Sequence, residues 1–139
     1  MILLDTNVVS ALMRPDPETL VVKWLNGQPR SSIWITSITV MELRYSLQAM
    51  PAGRRRVTML QLLEKLLAEK IEGRVAPFDT TAAQQAGDLM ALRKAKGRLG
   101  DSRDTMIAGI ALFTHATLAT RNTAHFADLS VPVINPWTA

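Results

Sequence analysis

Three acidic residues stand where the chain changes from one structural pattern to another. Asp5 closes the wholly apolar run Ile2-Leu3-Leu4. Glu42 falls in the first turn of a helix whose pattern starts at about Thr39, and Asp104 falls in the first turn of a strongly apolar helix reaching His115. Each acid has an ordinary reading. Asp5 is a suitable N-cap, Thr39-Val40-Met41-Glu42 fits a capping box, and Asp101-Ser102-Arg103-Asp104 is a variant of one. A shared reading competes with these. Asp5 follows a strand where Ser or Thr would cap equally well, and Asp104 opens a helix so apolar that its N-terminus must lie close to the core. Three neighbouring carboxylates raise one another's pKa unless a cation neutralises them. A hard divalent ion such as Mg2+, which takes oxygen ligands and keeps several waters, suits such a set.

The elements that must position these acids are legible as alternating apolar patterns. Strand-like runs occur at Met1 to Leu4, Ser32 to Thr36, Arg74 to Phe78, Thr117 to Thr120 and Val131 to Ile134. Between them the spacing predicts helices over Asn7 to Met13, Pro17 to Leu25 and Thr39 to Met50, then Arg54 to Ile71, Thr81 to Lys96 and Asp104 to His115. In the long fourth helix Val57, Leu60, Leu63, Leu67 and Ile71 form the apolar side. Strands alternating with helices predict an α/β sandwich with a mainly parallel five-stranded sheet, because parallel strands need crossover connections. Ligands of such sheets bind beyond the carboxyl ends of the strands, where strand order reverses. If the first, second and fourth strands are neighbours, all three acids reach that rim.

Composition narrows the chemistry. The 139 residues fit a single domain spanning 1–139, with 47% hydrophobic residues to build its core. With no cysteine and only two histidines, thiolate metal sites and cysteine nucleophiles are excluded. The longest apolar runs are far shorter than the roughly 20 residues of a membrane span. The start, Met1-Ile2-Leu3-Leu4-Asp5, lacks a basic segment ahead of its apolar stretch, which points to the cytoplasm. A net charge of +4 and a pI near 10.0 favour an anionic partner. The charge is clustered at Arg54-Arg55-Arg56 and again at Arg93, Lys94, Lys96, Arg98 and Arg103, although a solvated face is the plain alternative for both.

The runs Ile2-Leu3-Leu4-Asp5-Thr6-Asn7 and Ser37-Ile38-Thr39-Val40-Met41-Glu42-Leu43, then Asp104 leading into Ile107-Ala108, then Leu118-Ala119-Thr120-Arg121-Asn122, together resemble PIN-domain toxins of the VapC type. The closing Val133-Ile134-Asn135-Pro136-Trp137 is similar to the FitB-like branch. The match follows the whole chain in order and spacing. The resemblance implies a PIN-like α/β/α sandwich with the first and fourth strands side by side. It also implies a metal-dependent endoribonuclease acting on structured RNA such as transfer or ribosomal RNA, a cognate antitoxin as partner, and a homodimer. Asp5, Glu42 and Asp104 become the metal-binding acids and Asn122 the fourth catalytic position. Many relatives carry Asp where this chain has Asn122, so the site has one carboxylate fewer and a second tightly held metal is in doubt. His125 is expected at the surface or behind a ligand, and His115 at a helix end.

On this reading Mg2+ or Mn2+, held by Asp5 and Asp104 with Glu42 direct or through water, positions and activates a water for attack on a phosphodiester. Thr6, Asn7 and Ser37 are candidates to fix the carboxylates by hydrogen bonds. Arg121, Arg54, Arg55, Arg56 and Arg98 are candidates for RNA phosphates or an acidic partner. Two rivals stand beside it. An aspartate-nucleophile phosphatase also begins with an apolar strand ending in Asp, but it wants a second Asp where this chain has Asn7, and a lysine motif that is missing. The other is a catalytically silent PIN-like module that only binds RNA or protein.

Overall fold

The computed structural model describes residues 1–139. Five strands, β1 (Ile2–Leu4), β2 (Ile33–Thr36), β3 (Val75–Ala76), β4 (Thr117–Ala119) and β5 (Val133–Ile134), form one sheet in the order β3-β2-β1-β4-β5. Every pair is parallel, and Leu3 of β1 lies opposite Trp34 on β2 and Leu118 on β4. The chain builds outward from β1 to β3, then returns to β1 to add β4 and β5. The switch point is therefore the gap between β1 and β4, the place where sheets of this kind accept ligands.

Because side chains alternate along a strand, consecutive apolar residues feed opposite faces. Leu3 joins a core cluster with Ile107, Ile110 and Leu118, covered by α5 (Thr80–Ala95) and α6 (Ser102–Thr114). Leu4 joins a second cluster with Val8, Val21, Leu43 and Leu63, covered by α1 (Thr6–Leu12), α2 (Thr19–Asn26), α3 (Ser37–Gln48) and α4 (Arg54–Lys65). The outcome is the expected α/β/α sandwich.

Several expected boundaries shift for local reasons. The third strand was expected over Arg74 to Phe78, yet only Val75 and Ala76 pair with β2. Pro77 has no N–H to give a ladder, and the Phe78 N–H is taken by the Ser37 hydroxyl at 2.9 Å. The fifth strand shortens similarly, beginning after Pro132. The helix expected from Arg54 to Ile71 is α-helical only to Lys65, and its last turn, Leu66–Lys70, is wound as a π-helix. Its apolar side is buried only in the second half: Leu63 is fully buried and Val57 is 52% exposed. His115 does end α6, with left-handed backbone at φ 55°.

Candidate active site

Asp5 leaves β1 with its N–H still bonded to the Ala119 carbonyl of β4 at 2.9 Å, so the sheet itself fixes where the carboxylate emerges. The residue is only 4% exposed. Oδ1 accepts the Thr6 N–H at 2.8 Å, which makes Asp5 the N-cap of α1. Oδ2 accepts the Thr120 hydroxyl at 2.7 Å and the Asn7 side-chain amide at 3.3 Å. Capping and site roles thus coexist, one on each oxygen. Burial pushes the Asp5 carboxyl above the usual carboxylate range and the charges of Asp104 and Glu42 push the same way, against hydrogen bonds from Thr120 and Thr6 that favour the ionised form.

Thr120 is a site residue that sequence reasoning missed. Fully buried, it donates to Asp5 and accepts the Asn122 N–H at 3.0 Å and the Asn7 amide at 3.3 Å. The signal was present: pairing Leu4 with Ala119 places the next residues, Asp5 and Thr120, side by side. Thr120→Val keeps the shape and removes the donor. On the metal-dependent nuclease reading that the sequence resemblance implies, it is expected to weaken Mn2+ binding and RNA cleavage by roughly 10–100-fold. Unchanged Mn2+ affinity in a calorimetric titration would show that the hydroxyl does not orient Asp5.

Glu42 lies one turn later in its helix than expected. β2 runs directly into α3, Thr36 is the N-cap, and its hydroxyl takes the Thr39 N–H at 3.1 Å. The capping box expected from Thr39 to Glu42 does not form, and the Glu42 side chain is left for other contacts. Oε1 accepts the Thr6 hydroxyl at 2.8 Å, and Thr6 also meets Thr39 at 3.1 Å. Oε2 lies 3.8 Å from the Arg103 guanidinium, which also donates to Asp101 at 3.4 Å. Arg103 is thus the cation at the mouth of the acidic group. Ser37, expected to brace the acids, touches none of them because its oxygen serves the loop after β3.

Asp104 sits in the first turn of α6, but Asp101 is the cap, accepting from the N–H groups of Arg103 at 2.7 Å and Asp104 at 3.4 Å. The Asp104 carboxylate is thereby freed from capping, and Oδ2 lies 3.1 Å from His125 Nδ1. Since an ionised carboxylate only accepts, Nδ1 must carry the proton. His125 is largely exposed and stands behind the acid. Asn122 opens the 3-10 turn Thr123–Phe126, and its exposed amide side chain bonds to no other residue.

Asp5, Glu42 and Asp104 therefore share the rim at the switch point and sense one another electrostatically. They do not close on a single point: no three acid or histidine side chains are grouped tightly enough to hold an ion as they stand. Glu42 is drawn to Thr6 and Asp104 to His125. The donor set nonetheless fits a hard divalent ion. Its groups are oxygens, and the one buried carboxylate is pushed toward protonation by burial and then by the charges of Asp104 and Glu42.

Comparison with known proteins gives this arrangement its family. The PIN domain profile matches residues 2–131. The chain belongs to the PIN-domain family. It is similar to the VapC ribonuclease Y4jK of Sinorhizobium fredii, at 40% identity over 99% of this chain and 98% of the relative. It is also similar to Toxin FitB of Neisseria gonorrhoeae, at 35% identity over 99% of each. The crystal structure of FitAcB from the same organism superposes with a TM-score of 0.91 at 34% identity, covering 100% of both chains.

The remaining basic candidates of this PIN chain form no ion pair with the three acids. Arg121 places its guanidinium 4.8 Å over the Trp137 ring, while its N–H goes to Asn7 Oδ1 at 3.1 Å. Arg54, Arg55 and Arg56 open α4, and Arg56 reaches the Met50 carbonyl at 3.4 Å. Arg98 lines a polar pocket beside Asp104.

Proposed function

We propose that this chain is a Mg2+- or Mn2+-dependent endoribonuclease, the toxin of a toxin–antitoxin pair. The observation that carries the reading is the buried Asp5 at the switch point, its charge opposed by burial and by Glu42 and Asp104, in a chain 40% identical to a VapC ribonuclease. Asp5, Asp104 and Glu42 are the residues that would hold the ion. An ion there supplies Lewis-acid stabilisation of charge on the phosphate oxygens and promotes ionisation of a water.

The protein's own residues do the positioning. Thr120 and Thr6 hold the two oxygens of Asp5, and Thr6 also holds Glu42, so one hydroxyl links α1 to α3. His125 orients Asp104. Asn122, with an amide free to donate or accept, is suited to a phosphate oxygen or a water and adds no charge, which favours one firmly held ion over two. Transfer or ribosomal RNA is the substrate class, with a cognate antitoxin as the protein partner and a homodimer as the assembly. A relative bearing the name Toxin FitB supports that partnership. No helix is long and apolar enough to cross a membrane, in keeping with a cytoplasmic site of action.

The test is brief expression in cells with mapping of new RNA 5′ ends, paired with purified protein, total RNA and Mn2+. Discrete new ends and cleavage abolished by chelator are expected. RNA left intact in both settings would instead favour a silent RNA- or protein-binding module.

A further inference from the structure

Beside Asp104 lies a pocket of about 340 Å³ between the end of α5, the start of α6 and the turn carrying His125. Only two of its ten lining residues are hydrophobic, and its size is within the roughly 300–1,000 Å³ of ligand-sized sites. Its charges are not equivalent. Arg93 is 5% exposed and fully engaged: Nε and Nη2 each donate to Asp128 at 2.8 Å, Nη1 to Thr105 at 3.1 Å, and Nη2 also to the His125 carbonyl at 3.0 Å. It builds the wall and ties α5 to the turn. Asp101 is occupied by Arg103, and Asp104 by His125.

Two cations remain, Lys96 and Arg98. Both are exposed, and neither side chain forms a hydrogen bond or ion pair within the chain. Their placement is built into the backbone. Gly97, at φ +68°, ends α5 so that its N–H reaches the Lys94 carbonyl at 3.0 Å and the Arg98 N–H reaches the Arg93 carbonyl at 2.8 Å, a Schellman closure that folds Arg98 back over the helix end. Cations here also suit the helix dipole, but Arg93 and Lys94 already supply that in the last turn. Both cations line the same pocket as the Asp104 carboxylate, with Lys96 also in electrostatic reach of Asp128, so positive charge continues the site outward from the acids.

We propose that this pocket is a subsite for the RNA backbone, in which Lys96 and Arg98 bind the phosphate adjoining the scissile one. The assignment rests on the nuclease reading, because it takes Asp104 as the reacting end of the pocket. A phosphate here is read by charge and not by sequence, so the contact sets the strand's path and contributes affinity.

The probe is a 5′-fluorescein 12-nucleotide RNA of mixed sequence, followed by anisotropy in Ca2+ across a KCl series. A Lys96→Gln/Arg98→Gln protein is compared with the parent and with a Lys23→Gln/Lys65→Gln control that loses the same charge on exposed helices. Loss of this one phosphate contact on a single strand should flatten the slope of log affinity against log salt by about 0.7, and weaken binding severalfold at low salt. The control should keep the parent slope. An unchanged slope in the Lys96/Arg98 variant, or an equal change in the control, overturns the subsite. Cleavage of total RNA by the parent with Mn2+, run in parallel, separates the two readings: if it persists while the slope is unchanged, only the subsite falls. A parent that neither binds nor cuts RNA removes both. If the variant instead kept the RNA slope and lost a co-expressed antitoxin, the wall would belong to a protein partner and the RNA assignment would be wrong.

Discussion

Asp104→Asn is expected to lower metal-dependent RNA cleavage by roughly 10³-fold or more, about 4 kcal/mol of barrier, without unfolding the protein. Asp5→Asn should do the same, and its stability effect is the sharper test. The Asp5 carboxyl is raised above its ordinary value, chiefly by burial and then by Asp104 and Glu42. The folded state therefore binds that proton more tightly than the unfolded chain does. Its contribution to stability is full below the ordinary carboxylate pKa and is lost as pH rises through the raised folded value. At neutral pH, without a divalent ion, the ionised Asp5 is a net cost. Asn is as good an N-cap as Asp, so the Thr6 N–H keeps its acceptor while the charge disappears. The metal-free Asp5→Asn protein should hold or raise Tm at neutral pH and lose this component of the parent's decline with rising pH. Mn2+ at about 100 times Kd should stabilise the parent by about 2.7 kcal/mol and the variant far less. Thermal melts with and without Mn2+ at several pH values decide it. Cutting at the parental rate by either variant would refute the acid assignment, and a clear drop in metal-free Tm for Asp5→Asn would make Asp5 a structural cap.

The carboxylates were legible in the sequence because each sits at a junction that local signals mark: an apolar run ending at Asp5, a helical period opening near Glu42, an apolar helix beginning near Asp104. What surrounds them was not, because those contacts join residues far apart in the chain. Thr120 reaches Asp5 across 115 positions and Thr6 reaches Glu42 across 36. No periodicity reports such pairs, although the β1–β4 register would have given the first. Helix starts were misplaced where a strand leads straight into a helix, as at Thr36, since the expected capping box at Thr39 looks the same in sequence. Ser37 was expected beside the acids, but it is the first residue of α3 and its hydroxyl takes the Phe78 N–H. Exposure of Val57 escaped notice because a hydrophobic stripe shows which side of a helix can be buried, not how much of its length meets the core.

The opposite failure of sequence reasoning arises at Gly109. By helix propensity alone, replacing a mid-helix glycine with alanine should stabilise α6 by up to about 1 kcal/mol. Packing reverses the sign. Gly109 is buried where α6 crosses α5, and a Cβ there would stand 2.6 Å from the Ala82 carbonyl oxygen, 2.8 Å from the Ala86 Cβ and 2.9 Å from the Ala86 nitrogen. Two of these atoms are backbone, so no rotamer change relieves them and the helices must separate. Overpacking of this kind costs about 1–3 kcal/mol. The separated helices are also those that place the site: Asp104 opens α6, while Arg93, near the end of α5, is bonded to Thr105 of α6. Gly109→Ala is therefore expected to lower Tm by several degrees and to reduce RNA cleavage, with Mn2+ affinity falling as Asp104 moves away from Asp5. Adding Ala86→Gly removes one of the three close contacts and leaves the backbone ones, so the double variant should recover part of the loss and show coupling between the two positions. Equal or higher Tm for Gly109→Ala would mean that α5 and α6 can part at no cost, and that their close crossing is not what holds Asp104 in place.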